Sequence, residues 1–297
     1  MIPQVRFGRT NLHVSRIALG GYPLGVGCKA RGWEPFSVEG RAAAIRTVQA
    51  ALDVGINYID TSPGYGDGHS ESVIGEAVQQ RRSQVILASR VGFRGCSPGD
   101  VRASVESSLR RLRTEVIDII QFDGGTYKQE DVRQILREDL LEMLETLREQ
   151  GKVRFLGLVV DEPWTARPLL ASFRFDVLQV RYNLIDQSAG RHLLNEAREL
   201  DMGVVAMQPM TGGIFQRLGQ ALLLHLAEPR DLDEMALKFV LSDSRVHVAA
   251  MDFCGAEDVA RHAAIAALLE PPLDVAKLPH PTADADRAGD DGPVVAD

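Results

Sequence analysis

A closed barrel of eight parallel strands, each followed by a helix, is the fold class the sequence predicts. Two observations carry the prediction. Short β-branched or apolar runs alternate with amphipathic stretches almost from end to end, about eight times over. The length, 297 residues, suits a barrel of about 250 residues with additions. Periodicity cannot show closure, so an open doubly wound sheet shares the pattern.

The elements follow in order. VRFGRTNLHVS reads as a short N-terminal hairpin able to plug the barrel bottom. Buried parallel strands are expected at Ile17 to Leu19, Tyr58 to Asp60, Val85 to Ser89, Ile117 to Gln121, Val153 to Leu158, Val177 to Val180, Val204 to Met207 and Val246 to Ala250. Helices should start at Ser37, at Ser70 and at Ser97-Pro98, since serine caps a helix and proline suits its first turn; Gly55 should stop the first of them. Further helices are expected at Leu140 to Gln150, Thr165 to Ala171, His192 to Leu200, Leu232 to Leu241 and Glu257 to Leu269. Residues 1–270 form one barrel domain on this reading. Residues 271–297 turn to Pro, Ala, Asp and Gly, carry six Asp against Lys277 and Arg287, and read as a disordered acidic tail.

Composition narrows the function classes. Hydrophobic residues make up 45% and charged residues 25%, enough for a sizeable core. With 33 basic against 41 acidic residues the net charge is −8, which argues against nucleic acid or an acidic membrane as partner. The sequence shows neither a membrane span nor the apolar core of a signal peptide, so a cytoplasmic protein with a small-molecule substrate is expected. Cys28, Cys96 and Cys254 are isolated and odd in number, indicating neither a disulfide framework nor a zinc site, and the histidines lack metal-ligand spacing.

FGRTNLHVSRIALGG, GINYIDTSPGYGDGHSESVIGEAV, VESSLRRLRTEVIDIIQFDGG, GKVRFLGL and LQVRYNLID occur in that order between about Val5 and Leu269. In these motifs the chain resembles the aldo-keto reductase family, DTSPGYGxGxSExxxG being the most specific part. The resemblance implies a (β/α)₈ barrel that binds extended NADP(H) at the C-terminal strand ends and reduces carbonyls without metal. It also implies a catalytic Asp, Tyr, Lys and His.

Asp60 and Tyr65 match the first two. The phenol, with an ordinary pKa of about 10, can protonate a developing alkoxide only if nearby charge tunes it. Arg90 stands at the lysine position in ASRVG, keeping the charge but adding a planar fork able to pair with Asp60. Asp123 stands at the histidine position in QFDGG, where an ionised carboxylate cannot donate and would repel an oxyanion unless it stays protonated. The family's steroid double-bond reductases carry Glu there, so reduction of a conjugated C=C enters the reading.

The cofactor positions depart too. The resemblance assigns the nicotinamide carboxamide to a Ser-Asn pair that is Val159-Val160 here, and to Gln179, which is kept. Met207 replaces the stacking aromatic, Gln208 and Met210 follow it, and Gly212 and Gly213 keep the backbone-rich loop along the pyrophosphate. In the last loop, AAMDFCGAEDVARH, Asp258 and His262 stand at the adenosine-side polar positions, Asp252 is nearby and Arg261 is the only cation. NADP(H) or NAD(H) should therefore bind weakly, or not at all.

Plainer roles compete at each position. Asp60 could be a strand-end cap, Arg90 and Asp123 a structural ion pair, and His69 a solvent-facing loop residue or a replacement acid or base. Gln179, Met207 and Gln208 could be ordinary strand-end residues. Trp33, Phe36 and Trp164 could wall a substrate site or pack loops. Two function classes remain: an NAD(P)H-dependent oxidoreductase acting on a carbonyl or conjugated C=C, and a repurposed barrel, either a cofactor-independent lyase, isomerase or cyclase or a noncatalytic binding protein.

Overall fold

A computed structural model describes residues 2–28, 32–137, 139–214, 217 and 232–268. The expected acidic tail, 271–297, lies outside the described residues. Strands β1 (Gln4–Arg6) and β2 (His13–Ser15) pair antiparallel with Val5 opposite Val14, the expected hairpin. Eight parallel strands follow: β3 (Ile17–Gly20), β4 (Tyr58–Asp60), β5 (Ile86–Val91), β6 (Ile117–Gly125), β7 (Val153–Val160), β8 (Val177–Arg181), β9 (Gly203–Met207) and β10 (Val248–Met251). They lie in chain order, and β10 pairs with β3 with Ala249 opposite Ile17, so the sheet is a closed barrel and not an open one.

Strand alternation explains where the site comes from. Tyr58, Ile86, Ala88, Ile119, Val177, Val205 and Val248 form one buried cluster with Phe7 and Val14 of the hairpin, the apolar lower layers of the barrel interior. Phe7 is the plug, fully buried, with its ring against Tyr58 and so close to Gly203 that a Cβ there would stand 2.7 Å from it. Two residues further along their strands, the same inward parity places Asp60, Arg90, Gln121 and Gln179 in the layer above. The outward parity, Leu19, Ile59, Leu87, Ile120 and Leu178 among others, packs on the helices in the larger apolar cluster.

The helices are α1 (Tyr22–Val26), α2 (Val38–Asp53), α3 (His69–Val78), α4 (Pro98–Arg111), α5 (Gln129–Arg137), α6 (Leu140–Glu149), α7 (Pro163–Leu170), α8 (Ser188–His192), α9 (Leu194–Glu199), α10 (Leu232–Ser242) and α11 (Ala256–Ala267). Ser37 caps α2 by accepting from the Gly40 amide, and Ser97 forms a reciprocal capping box with Asp100 on α4. Gly55 ends the α2 segment at φ +93°, as a left-handed stop requires.

Three expectations need correction. Ser70 is not a cap: α3 begins after Gly68, at φ +83°, and the Ser70 hydroxyl is buried, donating to the Gly21 carbonyl and bonded to Thr61. The helix expected over His192 to Leu200 is shorter, Leu194–Glu199, and a separate short helix, Ser188–His192, precedes it. Cys28 and Cys254 are joined in a disulfide, leaving Cys96 free. Their separation of 226 residues hides the pairing in the sequence. Closure of the barrel sets β3 beside β10 and so brings the loops that follow those strands together.

Candidate active site

Asp60 ends β4 with its carboxylate buried. It accepts from the Arg90 Nη2 at 2.8 Å, from Gln179 Nε2 at 3.1 Å and from Gln121 Nε2 at 3.3 Å. Three donors on one buried carboxylate satisfy most of its lone pairs. The Asp60 carbonyl also accepts from the Gly21 amide at 2.7 Å, tying the ends of β3 and β4 together.

Arg90 is 9% exposed, and its position is fixed from below. Its neighbour Ser89 donates to buried Glu71 at 2.7 Å, and Glu71 is paired with Arg111 at 2.6 Å. The acidic residue of the GHSE segment thus locks α3 onto β5 and α4. Above Asp60, the Arg90 guanidinium covers the Tyr65 ring at 5.3 Å, and its Nη1 lies 3.7 Å from Asp123. Both structural alternatives for Arg90 therefore hold together, with Asp60 the closer partner. Desolvation disfavours the guanidinium, yet Asp60, Tyr65 and Asp123 outweigh it and hold its pKa above the ordinary range.

Tyr65 is half-buried in the loop after β4, with the Tyr22 ring edge-on at 5.3 Å. Desolvation raises its phenol well above the usual range, and the Arg90 charge, facing the ring, only partly opposes this. Asp123 is 40% exposed; desolvation raises its carboxyl pKa, Arg90 pulls it down and Asp60 pushes it up.

Sequence reasoning missed one group of this mouth as a site residue. Asp252 follows the last residue of β10, and a methyl group on Gly20 would collide with its carboxylate. It is open to solvent yet crowded by the barrel walls. Its pKa is pushed up to about 6 by desolvation first, then by Asp60, against the pull of Arg90. Its place one residue past a strand end was the available signal.

The cofactor positions divide. Gln179 has no exposed surface, and its Oε1 accepts from Gln121 at 3.0 Å while its Nε2 serves Asp60. Both ends of its amide are thus used inside the barrel. Val159 and Val160 are buried and apolar. Met207 is half-buried at the end of β9, and Gln208 is exposed at φ +55°, its carbonyl accepting from Asn183 at 3.1 Å. Met210, Gly212 and Gly213 lie on the turn beyond, with positive φ at Thr211, Gly212 and Gly213. On the adenosine side, Asp258 accepts from the Cys254 amide at 3.0 Å, and His262, 8% exposed, bonds the Asp258 carbonyl at 2.8 Å through Nδ1. Arg261 is paired with Asp233. These positions offer a turn of backbone but no free carboxamide clamp, and the cation of the last loop, Arg261, is already paired. They fit the backbone part of the cofactor site that the resemblance implies and lack its side-chain clamp.

The remaining candidates have contacts outside the Asp60–Arg90–Tyr65 stack. His69 bonds the Pro35 carbonyl at 3.0 Å and packs on Phe36; desolvation lowers its pKa. Trp33 donates to the Gly40 carbonyl at 3.0 Å. Trp164, exposed, lines a cavity of about 400 Å³ with Tyr127, Val132 and Pro168, beside α5 and α7 and apart from Tyr65 and Arg90. Among the described residues there is no group of three or more His, Cys, Asp or Glu placed to hold a metal, and no helix long and apolar enough to cross a membrane.

Comparison with known proteins decides the family. A model of the Aldo/keto reductase family matches residues 23–222. The chain belongs to the aldo/keto reductase family. An uncharacterized oxidoreductase of Bacillus subtilis, YrpG, is 32% identical over 232 residues, covering 70% of this chain and 66% of that protein. The NADH-specific methylglyoxal reductase of Escherichia coli is 27% identical over 232 residues, covering 71% of this chain and 68% of that one. The holo form of an aldo-keto reductase from Bacillus halodurans superimposes with a TM-score of 0.75 at 25% identity, covering 89% of this chain and 91% of that one. The chain spans just under two thirds of the length of the Bacillus subtilis oxidoreductases YqkF and YrpG. Within this aldo/keto reductase barrel, Asp60, Arg90 and Asp123 lie within the last three residues of the successive strands β4, β5 and β6, and Tyr65 lies in the loop after β4.

Proposed function

We propose that the protein is an oxidoreductase of the aldo-keto reductase type that acts on a carbonyl or conjugated C=C of a small molecule, using NAD(P)H bound weakly. The observation that carries this reading is the stack at the mouth: Tyr65 under Arg90, and Arg90 on Asp60 at 2.8 Å. It preserves the family's order of phenol, cation and carboxylate with arginine in the lysine's place. Reduced nicotinamide would supply the hydride. The chain's own residues supply the proton side, with the Tyr65 phenol and, when protonated, the Asp123 carboxyl as donors facing the mouth. Arg90 offsets charge that develops next to them.

Cofactor affinity is the weak link. Val159 and Val160 replace the Ser-Asn pair, Gln179 is committed inside the barrel and Arg261 is paired. Each neutral hydrogen bond to the carboxamide that a nicotinamide cofactor thereby forgoes is worth about 0.5–1.5 kcal/mol, and a charged one to a phosphate about 1.5–3 kcal/mol. The Escherichia coli relative is NADH-specific by name. A preference for NADH would follow here too, because Arg261, the cation at the position the resemblance gives the 2′-phosphate, is paired with Asp233.

Burial of Gln179 specifically favours a second reading, a cofactor-independent lyase, isomerase or cyclase, or a binding protein, on the same barrel. Titration of NADH and NADPH by protein fluorescence separates the two, followed by turnover on aldehyde and enone panels with Tyr65→Phe as control. Turnover that needs nicotinamide and is lost in Tyr65→Phe supports the first reading. Turnover or ligand binding indifferent to both nicotinamides supports the second, and submicromolar NADPH binding overturns the weak-cofactor part.

A further inference from the structure

We infer that Asp252 sets the charge of the substrate: together with the Tyr22 and Tyr65 rings it selects a small molecule bearing a positively charged nitrogen, a protonated amine or imine. The inference rests on the reading that this mouth is the substrate site.

The charge balance points this way. Arg90 is the cation within the stack, and it is committed to Asp60 at 2.8 Å and faces Asp123 at 3.7 Å. Arg181 is bound to Asp161 at 2.6 Å, and Arg94 to Asp131 at 2.8 Å. Asp252, by contrast, makes neither a hydrogen bond nor an ion pair among the described residues. It is also open to solvent. Among the described residues, Asp60, Asp123 and Asp252, when ionised, outnumber Arg90 around the Tyr65–Arg90 stack, so the charge next to it is locally negative. A cation would be drawn in there, while charge developing on a reduced carbonyl would rely on Arg90 to offset it.

The walls are also of the right kind. Tyr22 is the residue that follows Gly20 and Gly21 at the end of β3, is 48% exposed, and stands edge-on to Tyr65. Gly20 is the residue on which the Asp252 carboxylate lies. The exposed ring is Tyr22, since Arg90 already covers the half-buried Tyr65 ring; an exposed aromatic ring and an unpaired carboxylate at one mouth hold ammonium groups by cation–π attraction plus a charged hydrogen bond. The barrel order β10, β3, β4, β5, β6 sets Asp252 on one side of the Tyr65–Arg90 stack and Asp123 on the other. A nitrogen over Tyr65 would therefore lie between two carboxylates.

The groups facing Asp252 are Asp60 on β4, Arg90 on β5 and Tyr65 in the loop between them. Asp60 and Arg90 oppose each other, which leaves Asp252 to change charge with pH largely on its own.

The test is calorimetric binding of three probes of one shape, benzylamine, benzyl alcohol and benzoate, to the intact chain without nicotinamide. At about pH 8, benzylamine should bind about tenfold or more tighter than benzyl alcohol, and benzoate least. Asp252→Asn should erase the preference for the amine while leaving benzyl alcohol unchanged, and Tyr22→Leu should weaken benzylamine selectively. Both positions are exposed, and circular dichroism checks that the variants fold. The amine preference should also fade below about pH 6, since benzylamine stays protonated and Asp252 does not stay ionised. Equal binding of the three probes, tighter binding of benzoate, a preference that survives Asp252→Asn, or no binding of benzylamine overturns the inference. Because no cofactor or turnover enters, failure here leaves the oxidoreductase reading standing, and failure of nicotinamide binding leaves this one standing.

Discussion

Asp60 and Arg90 form a buried ion pair at 2.8 Å, with the carboxylate 3% and the guanidinium 10% exposed in their side chains. Each is needed to make the other tolerable, since either charge alone in this layer would be desolvated without return. Asp60→Ala should therefore cost about 3–5 kcal/mol, and the double variant Asp60→Leu with Arg90→Met should recover most of that loss. Urea unfolding of the two singles and the double decides it. A double variant no more stable than Asp60→Ala would show that Gln121 and Gln179, not the ion pair, hold this layer.

The disulfide between Cys28 and Cys254 joins residues 226 positions apart and so closes a long loop. A thiol count on unfolded, unreduced protein should give a single free thiol, Cys96, and three after reduction. Cys254→Ser should lower stability by about 2–5 kcal/mol. Thiol reductants keep such bonds open in most cytosols. Finding all three thiols in protein taken directly from cells would place the reduced form at work there and make the bond a product of purification.

Two groups should shape stability against pH in opposite senses. Burial lowers the His247 pKa to about 4, and its Nδ1 accepts from the Val204 amide at 3.1 Å, so the neutral ring is the folded form. Its contribution is complete above the ordinary histidine value of about 6.5 and is lost as pH falls toward 4, up to about 3 kcal/mol. Asp252 is raised, so the folded state binds its proton more tightly than the unfolded chain does, and stability falls as pH rises from about 4 through 6. Asp252→Asn should raise the melting temperature at pH 8 and leave it unchanged near pH 4. His247→Asn should flatten the acid limb. Thermal melts across pH test both, and an Asp252→Asn melting curve identical to wild type at pH 8 would remove the electrostatic strain assigned to that residue.

What the sequence alone can show divides along physical lines. Tyr58–Asp60 is read correctly to the residue because β-branched and aromatic residues stop at a turn, and Ser37 and Ser97 announce α2 and α4 by capping chemistry. Local signals fail where a distant segment takes the residue over. Ser70 looks like a cap but is claimed by Gly21 and Thr61, and Gln179 looks like a ligand contact but is claimed by Asp60 and Gln121. Asp258 and His262 similarly serve their own loop. Cys28 with Cys254 and Asp252 over Gly20 are consequences of closure between the first and last barrel strands, which local sequence patterning does not encode.

Asp123 carries the remaining choice of chemistry. It lies 3.7 Å from Arg90, half-open to solvent, with a pKa raised by desolvation more than Arg90 lowers it. A raised carboxyl is a donor below its pKa and a base above it. If the protein reduces a carbonyl or enone, activity should fall as pH rises through that pKa, and Asp123→His should improve simple aldehyde reduction by restoring a neutral donor at working pH. If the residue is a base in nicotinamide-free chemistry, activity should instead rise over the same range, and Asp123→Asn should abolish it with no nicotinamide present. Arg90→Lys sharpens the comparison, because it keeps the charge but loses the fork that reaches Asp60 and Asp123 together, so the pH limb should move upward in either case. The measurement is a pH–rate profile of wild type, Asp123→His, Asp123→Asn and Arg90→Lys, each with and without NADPH. Unchanged activity of Asp123→Asn under every condition would take the residue out of the mechanism and leave Tyr65 as the proton donor at the mouth.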